Sequence, residues 1–460
     1  MESSTKNQTE TREPSPIREF PTSGFDLADP SKPLEEEKYA WYSAQDFYPA
    51  TLGQLFKEDK YQVICKLGYG SASTTWLCRD LTNHRYVVVK IYAAGQGQIA
   101  REVAALKRIS DVLSKTEEPV KHHHGAQFVR TLLDSFEVSR PGLRNTNICL
   151  VFNPLGMTLG ETRQVMYNGQ MPLGLVRGIM FNMLLALDFL HRKVGMVHGD
   201  FQEDNIMMGV EDPEDIKEIE DEELETPSKR KVYKDHVIYA SRLLNLCPTH
   251  PVLCDFGEAR FGKESYGEEA MPDVYRAPEV LLRLNWNEKI DIWAFGMVLW
   301  TLVQGTNLLK SYPGGRWKSA LPHMARIISV IGPPPEGFLD GVDAADEYFE
   351  EDGKLKDGVE VEEISLEKEL TALYGVQRER FLAFLKRILV WDPEKRPSAL
   401  QLLKDPWFVP GPEDEDDSDE HSDTSEEEEE EVEYEEEGED EEMGEGEAEE
   451  EGGGGGTRQA

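Results

Sequence analysis

Apolar and polar residues alternate along the first strongly patterned stretch of the chain, residues 61–93. Its sequence, YQVICKLGYGSASTTWLCRDLTNHRYVVVKIYA, is interrupted by a glycine-rich turn and by the polar run LTNHR. Alternation with period two is typical of half-buried strands, and short glycine-rich or polar breaks are typical of hairpin turns. The pattern therefore predicts three antiparallel strands that follow one another along the chain.

The spacing becomes helical after these strands. AREVAALKRISDVL, residues 100–113, places its apolar residues on one face of a predicted amphipathic helix. HHHGAQFVRTLLDSFEV and NICLVFNPL then predict two more strands. A small sheet with one helix is thus complete by about residue 153.

Long apolar helices dominate the rest of the chain. They are predicted in PLGLVRGIMFNMLLALDFLHRKVG, KIDIWAFGMVLWTLVQ, RERFLAFLKRILVWDP and SALQLLKDPWF, the last of which ends near residue 410. The sequence therefore predicts an α+β fold, with a sheet-rich part at residues 38–153 and a helical part at 154–410.

Three segments fall outside this pattern. Residues 1–37 are rich in Ser, Thr, Pro and Glu, and we expect them to be disordered. A charged insert at about residues 211–248 is expected to be exposed. Residues 411–460 contain 27 of the 89 acidic residues against one basic residue, Arg458, which predicts a disordered acidic tail.

The charge and cysteine content limit the possible partners. A net charge of −40 argues against nucleic acid and anionic membranes, because both attract Lys- and Arg-rich surfaces. The five cysteines are scattered without a CxxC pair, which favours a reducing compartment. We see neither an N-terminal signal peptide nor an apolar run of the ~20 residues that span a bilayer. We expect a monomer in the cytoplasm, the nucleus or both, without a membrane partner.

A glycine-rich turn, LGYGSAS, lies between the first two strands, and Lys90 ends the third. Backbone N–H groups freed by glycine can close over phosphates, although such hairpins are also common without a ligand. Lys90 follows apolar strand residues and needs a partner, and Glu102 on the predicted helix is suitably placed. The pair could hold a phosphate-binding ammonium, or it could be a surface salt bridge worth ~0–1 kcal/mol.

Polar side chains are concentrated in later loops. MVHGDFQEDNIMMG places Asp200 and Asn205 five residues apart, and VLCDFGEAR places Asp255 after an apolar strand. Carboxylate and amide oxygens are suitable ligands for Mg²⁺. YRAPEVLL contains Glu279 and DPEKRPS contains Arg396, and a buried ion pair between them would join a loop to the C-terminal helices.

The order of these motifs resembles that of the eukaryotic protein-kinase family over about residues 50–410. FYPATLGQLF and YQVICKLGYGSASTTWLCRDL are similar to the first segments of the SR-protein kinases. CLVFNPLGMTL resembles their linker between lobes, and IISVIGPPPEGFLDG with YFEEDGKLK resembles their late helical insert. The chain is identified as a divergent SR-protein-kinase-like serine/threonine kinase of a type familiar from filamentous fungi. This implies a two-lobed fold, with a small antiparallel sheet lobe and a larger, mainly helical lobe.

The resemblance also implies ATP and Mg²⁺ as cofactors. Lys90 would hold the α- and β-phosphates with Glu102 beside it, and Asn205 and Asp255 would ligate Mg²⁺. The third glycine of the family's loop is replaced by Ser73, as in the SR-protein kinases. The residues implied around the nucleotide are Leu67, Gly68, Gly70, Ser73, Thr75, Val88, Lys90, the gatekeeper Phe152, and the backbones of Asn153 and Leu155.

The catalytic residues implied are Asp200, Gln202, Lys90 and Glu102, with Asp200 accepting the proton of the substrate hydroxyl. Gln202 departs from the family, which has a lysine here that neutralises the transferring phosphate. Glutamine keeps two N–H donors but loses the charge. Two alternatives therefore remain: an active kinase, and a nucleotide-binding pseudokinase that acts as a scaffold.

Gly199 occupies a position where many kinases have an arginine before the catalytic aspartate. Without that arginine, a phosphate on the activation loop, the segment between Asp255 and Glu279, has no receiving pocket. The loop offers Ser265 and Tyr266 as hydroxyl-bearing residues before YRAPE. We therefore expect activity that does not depend on loop phosphorylation.

The expected substrates are basic proteins, since the resemblance implies Arg/Ser-rich partners. Acidic residues in the late insert could attract arginine-rich peptides, or they could form an ordinary solvated face. These residues are Asp340, Asp343, Asp346, Glu347, Glu350, Glu351 and Asp352.

Overall fold

The computed structural model describes residues 13–95, 98–115, 123–140, 145–210, 213–242, 248–310, 316–350, 354–356, 359 and 361–409. The disorder predicted for residues 1–12 and 411–460 falls outside them. The described chain forms an N-terminal lobe built on an antiparallel sheet and a C-terminal lobe built mainly of helices. This confirms the predicted two-lobed α+β fold.

The described residues of the N-terminal lobe form six antiparallel strands in the order β1-β2-β3-β4-β6-β5. The glycine-rich loop is the turn between β2 and β3, where Gly70 pairs with Ser73. Strand β4 pairs with β6, which places Lys90 opposite Leu150. The strands are β1 Leu55–Phe56, β2 Tyr61–Gly70, β3 Ser73–Asp80, β4 Arg85–Tyr92, β5 Asp134–Ser139 and β6 Thr146–Phe152.

In the described part of the chain, three two-stranded sheets lie outside the six-stranded sheet, and two of them flank loops rich in polar residues. Pairing of β7 with β12 and of β8 with β11 fixes both ends of the loops that contain Asp200 and Asp255. The third sheet pairs β9 with β10 within the charged insert. The strands are β7 Met196–Val197, β8 Ile206–Val210, β9 Arg230–Val232, β10 Val237–Tyr239, β11 Pro248–Leu253 and β12 Arg260–Phe261.

The helices of the C-terminal lobe pack around two strongly apolar segments, α3 and α6. Every residue of α6 from Ile290 to Val303 is buried, so this helix forms the centre of the lobe. The predicted amphipathic helix is α1, which packs its apolar face toward the sheet. The helices are α1 Gln98–Ser114, α2 Leu159–Gln164, α3 Leu173–Phe189, α4 Pro213–Glu225, α5 Pro278–Leu281, α6 Lys289–Gln304, α7 Arg316–Ile331, α8 Ala345–Tyr348, α9 Leu366–Glu369, α10 Gly375–Ile388 and α11 Ala399–Leu402.

One helical stretch in the described residues, Leu173–Val194, is long and apolar enough to cross a membrane by length and composition. The prediction that no apolar run reaches this length was therefore wrong. Within the fold, 61% of its most apolar window is buried. It comprises α3 and a π-helical turn, Leu190–Val194, which is capped by Gly195 with a positive φ of 66°. Its hydrophobicity is that of a core helix, because its apolar side chains belong to the main hydrophobic cluster.

The prediction of disorder up to residue 37 was wrong for residues 13–37, which make defined contacts. Glu35–Lys38 forms a 3₁₀ turn, and the buried carboxylate of Glu36 pairs with the fully buried ammonium of Lys66 on β2. Leu27 forms an isolated parallel β-bridge with Arg230 of the insert. These contacts join residues far apart in the chain, so local periodicity gives no sign of them.

The expectation that the charged insert is exposed was wrong for several of its described residues, which are buried against other parts of the fold. Ile216 and Ile219 on α4 contact Ile64, Cys65 and Leu77 of the N-terminal sheet. The buried carboxylates of α4 find cationic partners. Those partners are Arg18 and Arg79 for Glu220, and Arg230 and Arg242 for Glu223. The insert leaves the helical lobe after β8, covers the N-terminal sheet and returns at β11.

Candidate active site

A cavity of about 410 Å³ lies between the sheet lobe and the helical lobe. This volume is within the range of about 300–1,000 Å³ that small-molecule sites occupy. Glu102, Asn205 and Asp255 line it, and Asn153 is not among its lining residues. The other residues expected around a nucleotide that line it are Leu67, Gly68, Gly70, Ser73, Thr75, Val88, Lys90, Phe152 and Leu155.

The glycine-rich loop forms one side of this cavity. A Cβ added at Gly68 would meet nothing within 4 Å, so its backbone faces open space. The N-terminal segment contacts the outer side of the same loop. The indole Nε1 of Trp41 donates to the carbonyl of Ser71 at 3.0 Å, and the ammonium of Lys38 lies 3.2 Å from the hydroxyl of Tyr69.

Lys90 lies between two carboxylates inside the cavity. Its Nζ is 3.4 Å from Glu102 on α1 and 3.4 Å from Asp255. Burial by itself lowers the pKa of Lys90, but its neighbours, Tyr92 and the two carboxylates, raise that pKa well above its ordinary value. The charge of Lys90 in turn holds the pKa of Asp255 below its ordinary value. A permanently charged ammonium therefore faces the space where phosphates would lie.

Tyr92 completes this group and was missed by sequence reasoning. Its buried hydroxyl donates to the carboxylate of Glu102, and the Lys90 ammonium lies 4.8 Å from the centre of its ring. Tyr92 thereby fixes the carboxylate that holds Lys90. The signal was present in the sequence, because a tyrosine two residues after Lys90 on a strand points to the same side of the sheet.

The catalytic loop brings Asp200, Gln202 and Asn205 into direct contact. The Nε2 of Gln202 lies 3.0 Å from each carboxylate oxygen of Asp200. The Nδ2 of Asn205 donates to the carboxylate of Asp200 and to the backbone carbonyl of Asp200, both at 2.8 Å. Burial raises the pKa of Asp200 to about 6, and the hydrogen bonds from Asn205 and Gln202 oppose this rise.

Asp291 on α6 holds the turn before Asp200 and was also missed. Its two carboxylate oxygens accept from the backbone N–H of His198 at 2.8 Å and of Gly199 at 2.9 Å. His191 lies 2.8 Å from the same side chain. An acidic residue inside the apolar run KIDIWAFG is the sequence signal, since a buried carboxylate requires hydrogen-bond partners.

The residues present fit a magnesium nucleotide. Asn205 uses its amide nitrogen on Asp200, which leaves its carbonyl oxygen for a cation, and Asp255 lines the same cavity. Mg²⁺ is commonly bound by one or two protein ligands together with substrate phosphates and water. The described part of the chain contains no cluster of three or more His, Cys, Asp or Glu side chains that would form a protein-only metal site.

The predicted ion pair between Glu279 and Arg396 is confirmed. The guanidinium meets both carboxylate oxygens at 2.5 and 2.7 Å, and both side chains are buried. Glu279 follows the activation loop, while Arg396 precedes α11. The pair therefore joins the end of that loop to the C-terminal helices.

Gly199 could not be an arginine in this backbone. Its φ is +78°, and a Cβ would lie 2.8 Å from the carbonyl oxygen of Glu258. An arginine on α1 binds the start of the activation loop instead. The Nη1 of Arg101 lies 2.8 Å from the carboxylate of Glu258 and 3.1 Å from the carbonyl of Gly257.

The two hydroxyl-bearing residues of the loop differ in exposure. Ser265 is exposed, whereas Tyr266 is buried and forms a backbone bridge with Trp286. In the late insert, the exposed acidic residues are Asp340, Asp343, Asp346, Glu347 and Glu350, while Glu351 and Asp352 lie outside the described residues. Glu347 is engaged by Arg283 at 2.9 and 3.0 Å.

Comparison with known proteins agrees with this arrangement. The profile described as "Protein kinase domain" matches residues 61–408. A serine/threonine protein kinase of Aspergillus fumigatus is 36% identical over 406 residues, which cover 86% of this chain and 96% of the relative. The serine/threonine-protein kinase SRPK of Physarum polycephalum is 25% identical, with 82% of this chain and 92% of the relative covered.

A solved kinase domain resembles the chain with a TM-score of 0.60 and 23% identity. The match covers 79% of this chain and 99% of the solved domain. At that identity the likeness supports the fold. The sequence matches supply the family, because they extend over most of both chains. The chain therefore belongs to the protein kinase family and is a serine/threonine kinase similar to the SR-protein kinases.

Proposed function

We propose that this kinase transfers the γ-phosphate of magnesium-bound ATP to serine or threonine hydroxyls, with Asp200 as the group that accepts the hydroxyl proton. The observation that carries this proposal is the contact of Gln202 and Asn205 with the Asp200 carboxylate. These donors hold the carboxylate in one orientation, and positioning is most of what a protein contributes to phosphoryl transfer.

Lys90 supplies the fixed positive charge for the α- and β-phosphates, and Asp255 and Asn205 supply oxygen ligands for magnesium. When bound, the metal ion and Lys90 together neutralise the charge that builds on the phosphates. The glycine-rich loop covers the nucleotide, with Thr75 and Val88 against the base. The backbone of Leu155, which lines the cavity, and that of the neighbouring Asn153, which does not, would offer hydrogen bonds to the edge of the base.

A pseudokinase is the second candidate, and Gln202 is the observation that favours it. An amide cannot carry the positive charge that a lysine brings to the transferring phosphate. Its N–H groups still reach Asp200, and hydrogen bonding without charge retains part of the stabilisation of the transition state. We favour activity because Lys90, Asp200, Asn205 and Asp255 are all present and in contact with one another or with the cavity.

Basic proteins rich in arginine and serine are the proposed substrates. Exposed carboxylates of the late insert, including Asp340, Asp343, Asp346 and Glu350, give this region a negative charge that arginine side chains complement. The name of the Physarum relative, SRPK, is consistent with such a preference. Substrates of this class would be attracted through long-range charge as well as direct contact.

The test is incubation of the purified chain with Mg·ATP and an Arg/Ser-repeat peptide, compared with the same peptide carrying Ala in place of every Arg. We expect transfer to the first peptide only, and a rise in its apparent KM with added salt. The Asp200→Ala variant provides the background. Transfer no greater than that background would reject catalysis, and equal transfer to both peptides would reject the substrate preference alone.

A further inference from the structure

Arg130 forms part of the wall of the nucleotide cavity, together with Phe152, Met207 and Cys254. We call these four residues the inner wall. The guanidinium carbon of Arg130 lies 4.4 Å from the centre of the Phe152 ring. Its Nη1 lies 3.3 Å from the sulfur of Met207 and 3.7 Å from the sulfur of Cys254. These side-chain contacts of Arg130 are all with members of the inner wall.

The guanidinium has fewer strong acceptors than its charge requires. Among the described residues, Arg130 forms no ion pair with a carboxylate; its side-chain acceptors are two sulfurs, and its buried Nε has no hydrogen-bond partner. Thioether and thiol sulfurs are weak acceptors, and an arginine side chain stays protonated under all ordinary conditions. Arg130 is half-buried, and a buried donor without a partner is costly, so an acceptor brought by a ligand would be bound favourably.

The position of Arg130 is fixed by its backbone. Its N–H donates to the carbonyl of Leu253 at 2.9 Å, and the preceding residue, Val129, forms a parallel bridge with Leu253. The ring of Phe152 on one side and the two sulfurs on the other limit the rotamers of the side chain. The donors of Arg130 are therefore held at the cavity wall before a ligand binds.

The orientation of a purine in this cavity follows from the proposed function. In the proposed orientation, the Watson–Crick edge of the purine lies along residues 153–155. The N7 edge of the purine adjoins the Watson–Crick edge, because the group at position 6 belongs to both edges. The N7 edge is therefore turned toward Phe152 and Cys254. N7 is a hydrogen-bond acceptor in adenine, and arginine is a common donor to purine N7 in other recognition settings.

We propose that Arg130 is a specificity-determining residue that donates a hydrogen bond to N7 of the purine of the bound nucleotide. This proposal rests on the proposed function of the cavity as a nucleotide site. The ligand class is a purine nucleotide with an acceptor at position 7. Cys254 and Met207 orient the guanidinium, and Phe152 supports its face.

The test measures binding, not phosphate transfer. The affinities of ATP and of 7-deaza-ATP, which has a C–H in place of N7, are determined by titration calorimetry with magnesium. The wild type is expected to bind 7-deaza-ATP about 10-fold or more weakly than ATP, the factor typical of a lost hydrogen bond to a charged donor. Arg130→Met, which keeps an unbranched side chain without any N–H donor, should reduce this ratio to within about 2-fold, a difference below one net hydrogen bond.

Arg130→Leu serves as a second donor-free variant in case the methionine variant does not fold, and Arg85→Leu, an exposed arginine on β4, is the matched control. The control should keep the wild-type ratio. Equal affinities of the wild type for both nucleotides would overturn the proposal, as would an unchanged ratio in the donor-free variants. Loss of phosphate transfer with the ratio intact would count against the proposed catalysis and leave the role of Arg130 in place.

Discussion

Gln202 donates to both carboxylate oxygens of Asp200 at 3.0 Å, from the position where related kinases have a lysine. This geometry keeps the orienting contact of the catalytic loop but removes a positive charge. Catalysis by this chain therefore depends on whether hydrogen bonding alone is sufficient at this position. The contact also makes Gln202 the residue where substitution is most informative.

We expect Gln202→Lys to raise kcat, because a charge-assisted hydrogen bond to the transferring phosphate is about twice as strong as a neutral one. Gln202→Ala should lower kcat by about 10- to 100-fold, toward the loss seen when one transition-state donor is removed. Both are measured by steady-state kinetics with an Arg/Ser-repeat peptide at saturating ATP. If Gln202→Ala kept the wild-type kcat, Gln202 would have no part in the reaction.

Activity should be independent of phosphorylation in the activation loop. Gly199 leaves no room for a phosphate-binding arginine, and Arg101 holds Glu258 at the start of the loop instead. Ser265→Ala should therefore leave kcat unchanged.

Arg101→Met should lower kcat about 2- to 5-fold, the factor that corresponds to an ion pair of ~0.5–1 kcal/mol near the surface.

The comparison uses protein treated with phosphatase and the same preparation without treatment. Equal rates in the two samples support the prediction. A large loss after phosphatase treatment that Ser265→Ala reproduces would show that the loop is controlled by phosphate at Ser265 after all.

The sequence predicted what local periodicity encodes and missed what distant contacts create. Strands β2–β4 and helix α1 follow directly from alternation and helical spacing, and the Glu279–Arg396 pair follows from the two motifs YRAPEVLL and DPEKRPS. The order of residues 13–37 could not be predicted, because Glu36 is stabilised by Lys66, which belongs to a different element. The packed insert left a readable sign in Ile216 and Ile219, spaced three apart within an acidic helix.

The same limits apply to the site. The motifs name Lys90, Asp200 and Asp255, because their spacing in the chain is distinctive. Tyr92 and Asp291 act on those residues through the fold, by binding Glu102 and the turn before Asp200. Their partners are set by tertiary structure, which one sequence does not specify.

The buried pair of Lys66 and Glu36 should be essential for the stability of the N-terminal lobe. Both side chains are buried, so Glu36→Ala leaves the Lys66 ammonium with only the more distant carboxylate of Glu35, at 3.7 Å. We expect this change to lower the free energy of unfolding by about 3 kcal/mol, the lower end of the range for a broken buried ion pair. The double variant Lys66→Met with Glu36→Leu should lose much less, since neither charge remains. Urea titrations of the three proteins measure the difference.

Lys217→Ala is the matched control, because Lys217 pairs with Glu214 at the surface of α4. We expect it to change the free energy of unfolding by ~0–1 kcal/mol. A cost for Glu36→Ala as small as that of Lys217→Ala would mean that the buried pair does not hold the N-terminal segment in place.

Stability should fall on mild acidification because of His323. Burial lowers the pKa of this α7 side chain to about 4, below its ordinary value of 6.5, while the backbone of Arg276 opposes this. The unfolded chain therefore takes up the proton first, and stability is lost as the pH falls from about 6.5 to about 4. Between pH 7.5 and 5.0 the loss from this one group is about 2 kcal/mol.

His323→Leu should show a correspondingly weaker dependence on pH, measured by urea titration at the two pH values. Cationic or hydroxyl partners hold the pKa values of Asp134 and Asp188 at about 2, against the effect of burial. These two carboxylates therefore lose their contribution to the free energy of unfolding only at lower pH. His124→Ala, at an exposed histidine, is the control. An identical slope in wild type and His323→Leu would show that His323 takes up its proton equally in the folded and unfolded chains.

Trp41 should affect nucleotide affinity without affecting the chemical step. Its indole donates to the carbonyl of Ser71 in the glycine-rich loop, and its ring stacks on Tyr39 at 5.1 Å. This contact orders the loop before ATP binds, so its removal adds an ordering cost to binding. Trp41→Ala is expected to weaken ATP binding by about 2- to 12-fold, the factor of one net hydrogen bond, with kcat nearly unchanged.

Trp41→Phe separates the two contributions, because it removes the N–H donor and keeps an aromatic ring beside Tyr39. Calorimetric titration with Mg·ATP gives the affinity, and hydrogen exchange of the peptide covering residues 67–75 reports the order of the loop. Tyr167→Ala, at a strongly exposed aromatic residue of the helical lobe, is the control. Faster exchange in Trp41→Ala without a change in ATP affinity would show that the loop is ordered by this contact but that the nucleotide does not depend on it.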